Sequence, residues 1–145
     1  MAFTSIQKIR FDDVDGAGIV YYPQFFHLCH AAFEDFFDSA APVSYPELIS
    51  KRRRGFPTVA LQSQFIAPLT YGDIAFIQVA IRKIGRASVV FAYKIRRKHD
   101  GALCFEAEVT TVFTDLDAMK GLPLEETYKN IFNAYLEDGQ TSASS

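Results

Sequence analysis

Phe11-Asp12-Asp13-Val14-Asp15-Gly16-Ala17-Gly18-Ile19-Val20-Tyr21-Tyr22-Pro23 is the stretch of this chain best equipped for chemistry. Three carboxylates and two glycines form a loop that runs into Pro23. Proline suits the first turn of a helix because it forfeits no intrahelical hydrogen bond there. A helix start presents unpaired N–H groups and about half a positive charge. An oxygen gaining negative charge is stabilised at such a point, as in an oxyanion hole. A carboxylate beside it can act as nucleophile or base on an acyl carbon, and glycines let substrate and backbone approach closely. Loop acid plus helix-end donors is the equipment for acyl transfer. The competing use of an Asp before a helix is as a cap or turn residue, and spacing alone does not choose among Asp12, Asp13 and Asp15.

The elements that must position this loop follow from periodicity. Ser5 to Phe11 reads as a strand. From Pro23 to about Ala41 the apolar positions Phe25, Leu28, Cys29, Ala32, Phe33 and Phe36 keep helical spacing. Tyr45 to Ile49 reads as a short helix. Four strand-like segments follow, Pro57 to Leu69, Asp73 to Ile84, Arg86 to Lys98 and Ala102 to Thr114, joined by turn chemistry that includes Asp100-Gly101. In the first of them Val59, Leu61, Phe65 and Leu69 share one parity. Leu122 to Leu136 reads as a terminal helix. Strands in succession without intervening helices give an antiparallel sheet, here with the long helix on one face, an α+β fold. Its open edges invite pairing with a second copy.

Length and composition bound the rest. The 145 residues fit one domain, taken as 1–138, with a small, polar tail at 139–145. An apolar share of 49% against 22% charged excludes a disordered chain, and no apolar run is long enough to span a membrane. Fifteen basic against seventeen acidic side chains provide no field for nucleic acid. Cys29 and Cys104 cannot build a disulfide framework and sit in apolar patterns, as core thiols do. The N-terminus lacks a signal-peptide plan, so the expected compartment is the cytoplasm. Fourteen Phe and seven Tyr serve core or interface, which counting does not separate.

The glycine-loop string and its aromatic-rich helix resemble the active-site signature of 4-hydroxybenzoyl-CoA thioesterase and related acyl-CoA thioesterases. A second segment, Gln64-Phe65-Ile66-Ala67-Pro68-Leu69-Thr70-Tyr71-Gly72-Asp73, is similar to that family's junction between its second and third strands. The resemblance runs from about Ile6 to Thr114. It implies the hotdog fold, a curved antiparallel sheet wrapped round one long helix, and hydrolysis of an aromatic or short to medium acyl-CoA. It also implies association as a homodimer or homotetramer, with no metal and no resident cofactor, coenzyme A being part of the substrate. Asp15 matches the family's catalytic carboxylate and Asp13 a second acid with a lesser part. Tyr22 matches the residue whose N–H faces the thioester carbonyl.

The resemblance further points to Arg86 and Ser88, on the turn between the third and fourth strands, and to Phe56, Pro57 and Thr58, as lining the coenzyme A tail. His30 stands where a relative places an acid toward the substrate hydroxyl, and Tyr22-Pro23-Gln24 stands where many relatives carry His-Ala-Asn. These departures leave the acyl group open. His27, His30, Glu34 and Asp38 share one helical stripe, which suits a polar surface or, less simply, a metal. Basic residues cluster twice, as Lys51-Arg52-Arg53-Arg54 and as Arg82, Lys83 and Arg86 with Arg96-Arg97-Lys98, and suit solvated surface, or partners for coenzyme A phosphates. The competing functions are a non-catalytic acyl-CoA or acyl-carrier binding module and a hydratase or dehydratase on the same scaffold.

Overall fold

The computed structural model describes residues 2–137, so the expected tail at 139–145 and the domain boundary at 138 lie outside the described residues. The chain runs β1 (Phe3–Lys8), α1 (Tyr22–Ala40), α2 (Tyr45–Ser50), β2 (Arg54–Gly55), β3 (Thr58–Phe65), β4 (Ile74–Ile84), β5 (Ser88–Arg97), β6 (Leu103–Val112), β7 (Thr114–Asp115), β8 (Lys120–Gly121) and α3 (Glu126–Asn133). The main sheet is antiparallel in the order β1-β4-β5-β6-β3, and β2-β7-β8 make a small second sheet. With α1 laid across one face, this is the α+β hotdog architecture that the sequence implies.

Helix α1 forms where its spacing predicts because Phe25, Leu28, Cys29, Ala32, Phe33, Phe36 and Phe37 make one buried stripe. The stripe packs on Ile77, Val79 and Ile81 of β4, and on Phe91, Tyr93 and Ile95 of β5. Rings carry much of this core: Phe33 meets Phe91 at 5.1 Å and Phe36 stacks on Phe132 of α3 at 6.2 Å. The opposite face of the sheet is polar, with Gln78 and Arg82 on β4, Lys94 on β5 and Glu106 and Glu108 on β6. Arg82 pairs there with Glu108 and Glu137. Among the described residues no helix is long and apolar enough to cross a membrane.

Two sequence expectations shift, and a third holds in part. The first strand is Phe3–Lys8 rather than Ser5 to Phe11, since Phe11–Asp13 coils into a 3-10 turn. The terminal helix shrinks to Glu126–Asn133 because Leu122 and Leu124 are extended, their N–H groups donating to the carbonyls of Phe113 and Arg86. Strand β3 does turn Val59, Leu61 and Phe65 to one face, yet all three are exposed. It is the sheet's edge strand, and α1 reaches only its Phe65 end, through Tyr22, Phe25 and Phe26.

Candidate functional site

The loop between β1 and α1 is itself a small hairpin. Val14 bridges Val20, the Asp15 N–H donates to the Ile19 carbonyl, and the Gly18 N–H donates to the Asp15 carbonyl. Gly18 closes it with φ +79°, a left-handed value that costs other residues about 1–2 kcal/mol. The β3–β4 connection, residues 66–73, holds this hairpin in place. Ile19 bridges Thr70, the Val20 N–H donates to the Leu69 carbonyl at 2.8 Å, and the Tyr71 N–H donates to the Gly18 carbonyl at 3.0 Å. Asp73 stiffens the connection by accepting from the Thr70 N–H and hydroxyl. The two sequence segments singled out separately are thus one structural unit.

That unit separates the roles of the acids. Both oxygens of Asp13 are engaged, one by the Arg10 N–H at 2.8 Å and the other by the Gln24 side chain at 3.3 Å. Its carbonyl accepts from the Tyr21 N–H, so Asp13 pins the loop to the helix start. Asp15 is exposed. One of its oxygens accepts from the Ala17 N–H at 2.9 Å, the turn role that its position allows, while the other has no partner among the described residues. Asp12 is exposed as well.

Helix α1 begins without a side-chain cap. The Gln24 N–H donates to Tyr21, Pro23 has no N–H to give, and the Tyr22 N–H meets no acceptor among the described residues. An open donor at the positive end of a 19-residue helix therefore adjoins the Asp15 hairpin. Exposed rings surround it. Tyr22 lies against Tyr21 and Phe65, Phe65 against Phe25 and Phe26, and Phe11 against Tyr71.

The other candidates fall in different places. His30 is on the shoulder of α1 nearest α2, stacked on Phe33, edge-on to Tyr45, and paired with Glu34 at 2.9 Å. His27 and Asp38 continue that stripe as residues at least partly open to solvent, and among the described residues no group of His, Cys, Asp and Glu has metal-binding geometry. Pro57, Thr58, Arg86 and Ser88 collect at the far end of the sheet: Ser88 lies opposite Val112, whose N–H donates to the Pro57 carbonyl. Pro57, Thr58 and Arg86 are exposed. The Phe56 side chain does not join them. It is 4% exposed, packed between Phe37, Phe113 and Phe132, so it serves the core rather than a ligand tail.

Asp15 and Tyr22 sit by the Phe65 end of β3, whereas Thr58 begins the strand. The seven steps between put the two groups roughly 23 Å apart along one chain at about 3.3 Å per residue. A broad concavity on the outer sheet face, lined by Gln62, Gln64, Gln78, Arg82, Lys94, Glu106 and Glu108, reaches neither Asp15 nor Tyr22. Its charged lining, on the side away from α1, does not suit an apolar acyl group.

Arg97 is a member of the site's support that sequence reasoning left among surface cations. Its guanidinium donates to the Pro68 carbonyl at 2.8 Å and forks onto Asp100. The Asp three residues after the Arg signals the fork; nothing local signals Pro68.

Known proteins resemble the chain over most of its length. The family model described as the thioesterase-like superfamily matches residues 9–132. A 1,4-dihydroxy-2-naphthoyl-CoA hydrolase of Synechocystis sp. (strain ATCC 27184 / PCC 6803 / Kazusa) is 28% identical over 127 residues, 88% of this chain and 91% of that protein. A 4-hydroxybenzoyl-CoA thioesterase of Pseudomonas sp. (strain CBS-3) is 28% identical over 116 residues, 77% of this chain and 82% of that one. The crystal structure of a 1,4-dihydroxy-2-naphthoyl-CoA thioesterase from Synechocystis superposes with a TM-score of 0.83 at 27% identity, covering 92% of this chain and 96% of that one.

Proposed function

The chain belongs to the thioesterase-like superfamily, and from that premise we propose that it hydrolyses an acyl-CoA thioester to the free acid and coenzyme A, with Asp15 and the Tyr22 N–H at the reacting carbonyl. The observation that carries this reading is the open Tyr22 N–H at the uncapped start of α1, adjoining a hairpin that presents a half-free carboxylate. The thioester oxygen accepts from that N–H and the helix end offsets the charge it gains. Asp15 then either attacks the carbonyl carbon, giving a mixed anhydride that water opens, or takes a proton from the attacking water. Either way the C–S bond breaks and coenzyme A leaves as a thiolate, which needs little acid assistance. The steps draw on no resident cofactor.

An aromatic acyl group fits this reading best. Tyr21, Tyr22 and Phe65 offer ring faces beside the donor, and the relatives' names specify naphthoyl and hydroxybenzoyl thioesters. His30 lies eight residues, roughly 12 Å, along α1 from Tyr22, where it pairs with Glu34 beside Tyr45.

The site is completed by a second copy of the chain. Edge strand β3 presents its unpaired backbone and the solvent-exposed row Val59, Leu61 and Phe65. Antiparallel pairing of two β3 strands about a two-fold axis sets Thr58 of one copy beside Phe65 of the other. Pro57, Thr58, Arg86 and Ser88 of one copy then approach Asp15 and Tyr22 of the other. In this arrangement Arg86 supplies charge for the coenzyme A phosphates. Pairing of two such dimers gives the tetramer. A reducing cytoplasm suits the two unpaired core thiols.

A panel of aromatic, short and long acyl-CoAs, followed by release of free thiol, tests the activity. Turnover highest on aryl thioesters supports the reading. Binding without thiol release, or hydration of an enoyl-CoA in place of hydrolysis, overturns it.

A further inference from the structure

Pro68 has no N–H, so its carbonyl is the one backbone group by which neighbours can hold it through a hydrogen bond. Arg97, at the end of β5, donates to that carbonyl from Nη1 at 2.8 Å. The guanidinium is itself fixed: Nε and Nη2 grip the two oxygens of Asp100 at 3.2 and 2.9 Å, and the Ala102 N–H donates to the same carboxylate at 3.0 Å. The Arg97 side chain is only 19% exposed. The tip of the β5–β6 hairpin thereby braces the β3–β4 connection.

From Pro68 the bonds continue without a gap. Leu69 is fully buried and its carbonyl accepts from Val20, while Tyr71 donates to Gly18 on the other side of the Ile19–Thr70 bridge. Val20 is two residues before Tyr22. On the β6 side the connection is held only up to Ala67, by the Cys104 carbonyl. Beyond it, Arg97 supplies the strong donor at Pro68, with the Cys104 thiol a weak second at 3.8 Å.

We infer that Arg97 is a positioning residue for the reaction: through Pro68 it fixes the segment 68–71 on which 18–20 is laid, and so sets the relative placement of the Asp15 carboxylate and the Tyr22 N–H. The inference rests on the assignment of those two groups to the thioester. Arg97 does not itself touch the substrate. The Asp100 side of the ion pair is open to solvent, and such a pair contributes little to stability, whereas a small displacement of reacting groups costs much in rate. Loss of Arg97 therefore shows in turnover rather than in melting temperature.

The test measures kcat, KM and thermal midpoint of full-length Arg97→Ala, Asp100→Asn and Asp15→Asn variants, with benzoyl-CoA as probe. The expected result for Arg97→Ala is a kcat lower by roughly 10- to 100-fold, with KM and thermal midpoint little changed. Arg97→Lys, which keeps one donor for Pro68, recovers most of the loss. If Arg97→Ala fails to fold, Asp100→Asn decides, because it frees the guanidinium and lowers kcat several-fold at unchanged KM. Wild-type kcat in Arg97→Ala, or a rate loss in these variants that only follows the thermal midpoint, overturns the inference. The Asp15→Asn variant separates the two failures. Inactive Asp15→Asn beside fully active Arg97→Ala removes the role of Arg97 alone, while active Asp15→Asn removes the site assignment and the role of Arg97 with it.

Discussion

The ring of Tyr22 meets the ring of Phe65 edge-on with centroids 6.4 Å apart, tying the start of α1 to one end of the edge strand β3. Thr58, at the other end of that strand, lies with Pro57, Arg86 and Ser88, so one chain holds the two halves of the proposed site apart.

Subunit complementation follows from that separation. Asp15→Asn and Arg86→Ala chains, each of low activity alone, are mixed under conditions that exchange subunits. Half of the dimers at equal proportions are mixed, and one of their two sites keeps both native residues. Thiol release should recover to about a quarter of the wild-type value, by the geometry of a two-fold interface. No recovery places each site within a single chain.

Leu61→Asp tests the interface itself. Leu61 is an exposed apolar residue at the middle of β3, so the change leaves the core alone. The introduced carboxylates, brought together across a two-fold axis, would repel. Sedimentation should show monomers that keep their circular dichroism and lose turnover, and a stable, active oligomer would refute the proposed pairing.

Gly16 and Gly18 differ in what a methyl group costs. Neither has an atom within 4 Å of an added Cβ, but only Gly18 is left-handed, at φ +79°. Gly18→Ala should cost about 1–2 kcal/mol and reduce kcat, with Gly16→Ala near wild type in both. Denaturant melts and initial rates check the contrast.

The Arg97 guanidinium, and then the Ala102 N–H, hold the Asp100 carboxylate below its usual range. A carboxylate lowered in the folded state stabilises it above the unfolded value, about 3.9 for Asp. That contribution disappears as pH falls through the lower folded value. Asp100→Asn should therefore flatten the dependence of melting temperature on pH below about 3.9 and leave the slope above it unchanged. An unchanged acid limb contradicts the fork.

Burial pushes the Cys29 thiol well above its usual range and raises Cys104 as well. Both thiols should react with a disulfide reagent only after unfolding, leaving a low background in thiol-release assays. Rapid native reaction of either would show that it is accessible.

Much of the fold and the acid loop was legible in the sequence, for local reasons. The spacing from Phe25 to Phe36 defines α1, and Asp100-Gly101 marks a hairpin whose Gly101 has φ +71°. What was not legible depends on distant partners. Parity assigns Val59, Leu61 and Phe65 a common face but not whether a helix covers it. Phe56 adjoins Pro57 in sequence, yet Phe113 and Phe132 bury it. Leu124 has helical periodicity, but its N–H is taken by the Arg86 carbonyl. Arg97 reads as one more surface cation until Pro68, 29 residues earlier, is brought against it.

Single-turnover hydrolysis by Asp15→Asn probes the central claim most directly. The substitution keeps the size of the side chain and its turn bond to Ala17 while removing the charge. The account predicts a variant that folds and binds benzoyl-CoA as the wild type does, and cleaves it at least about 100-fold more slowly. Cleavage at the wild-type rate would contradict it.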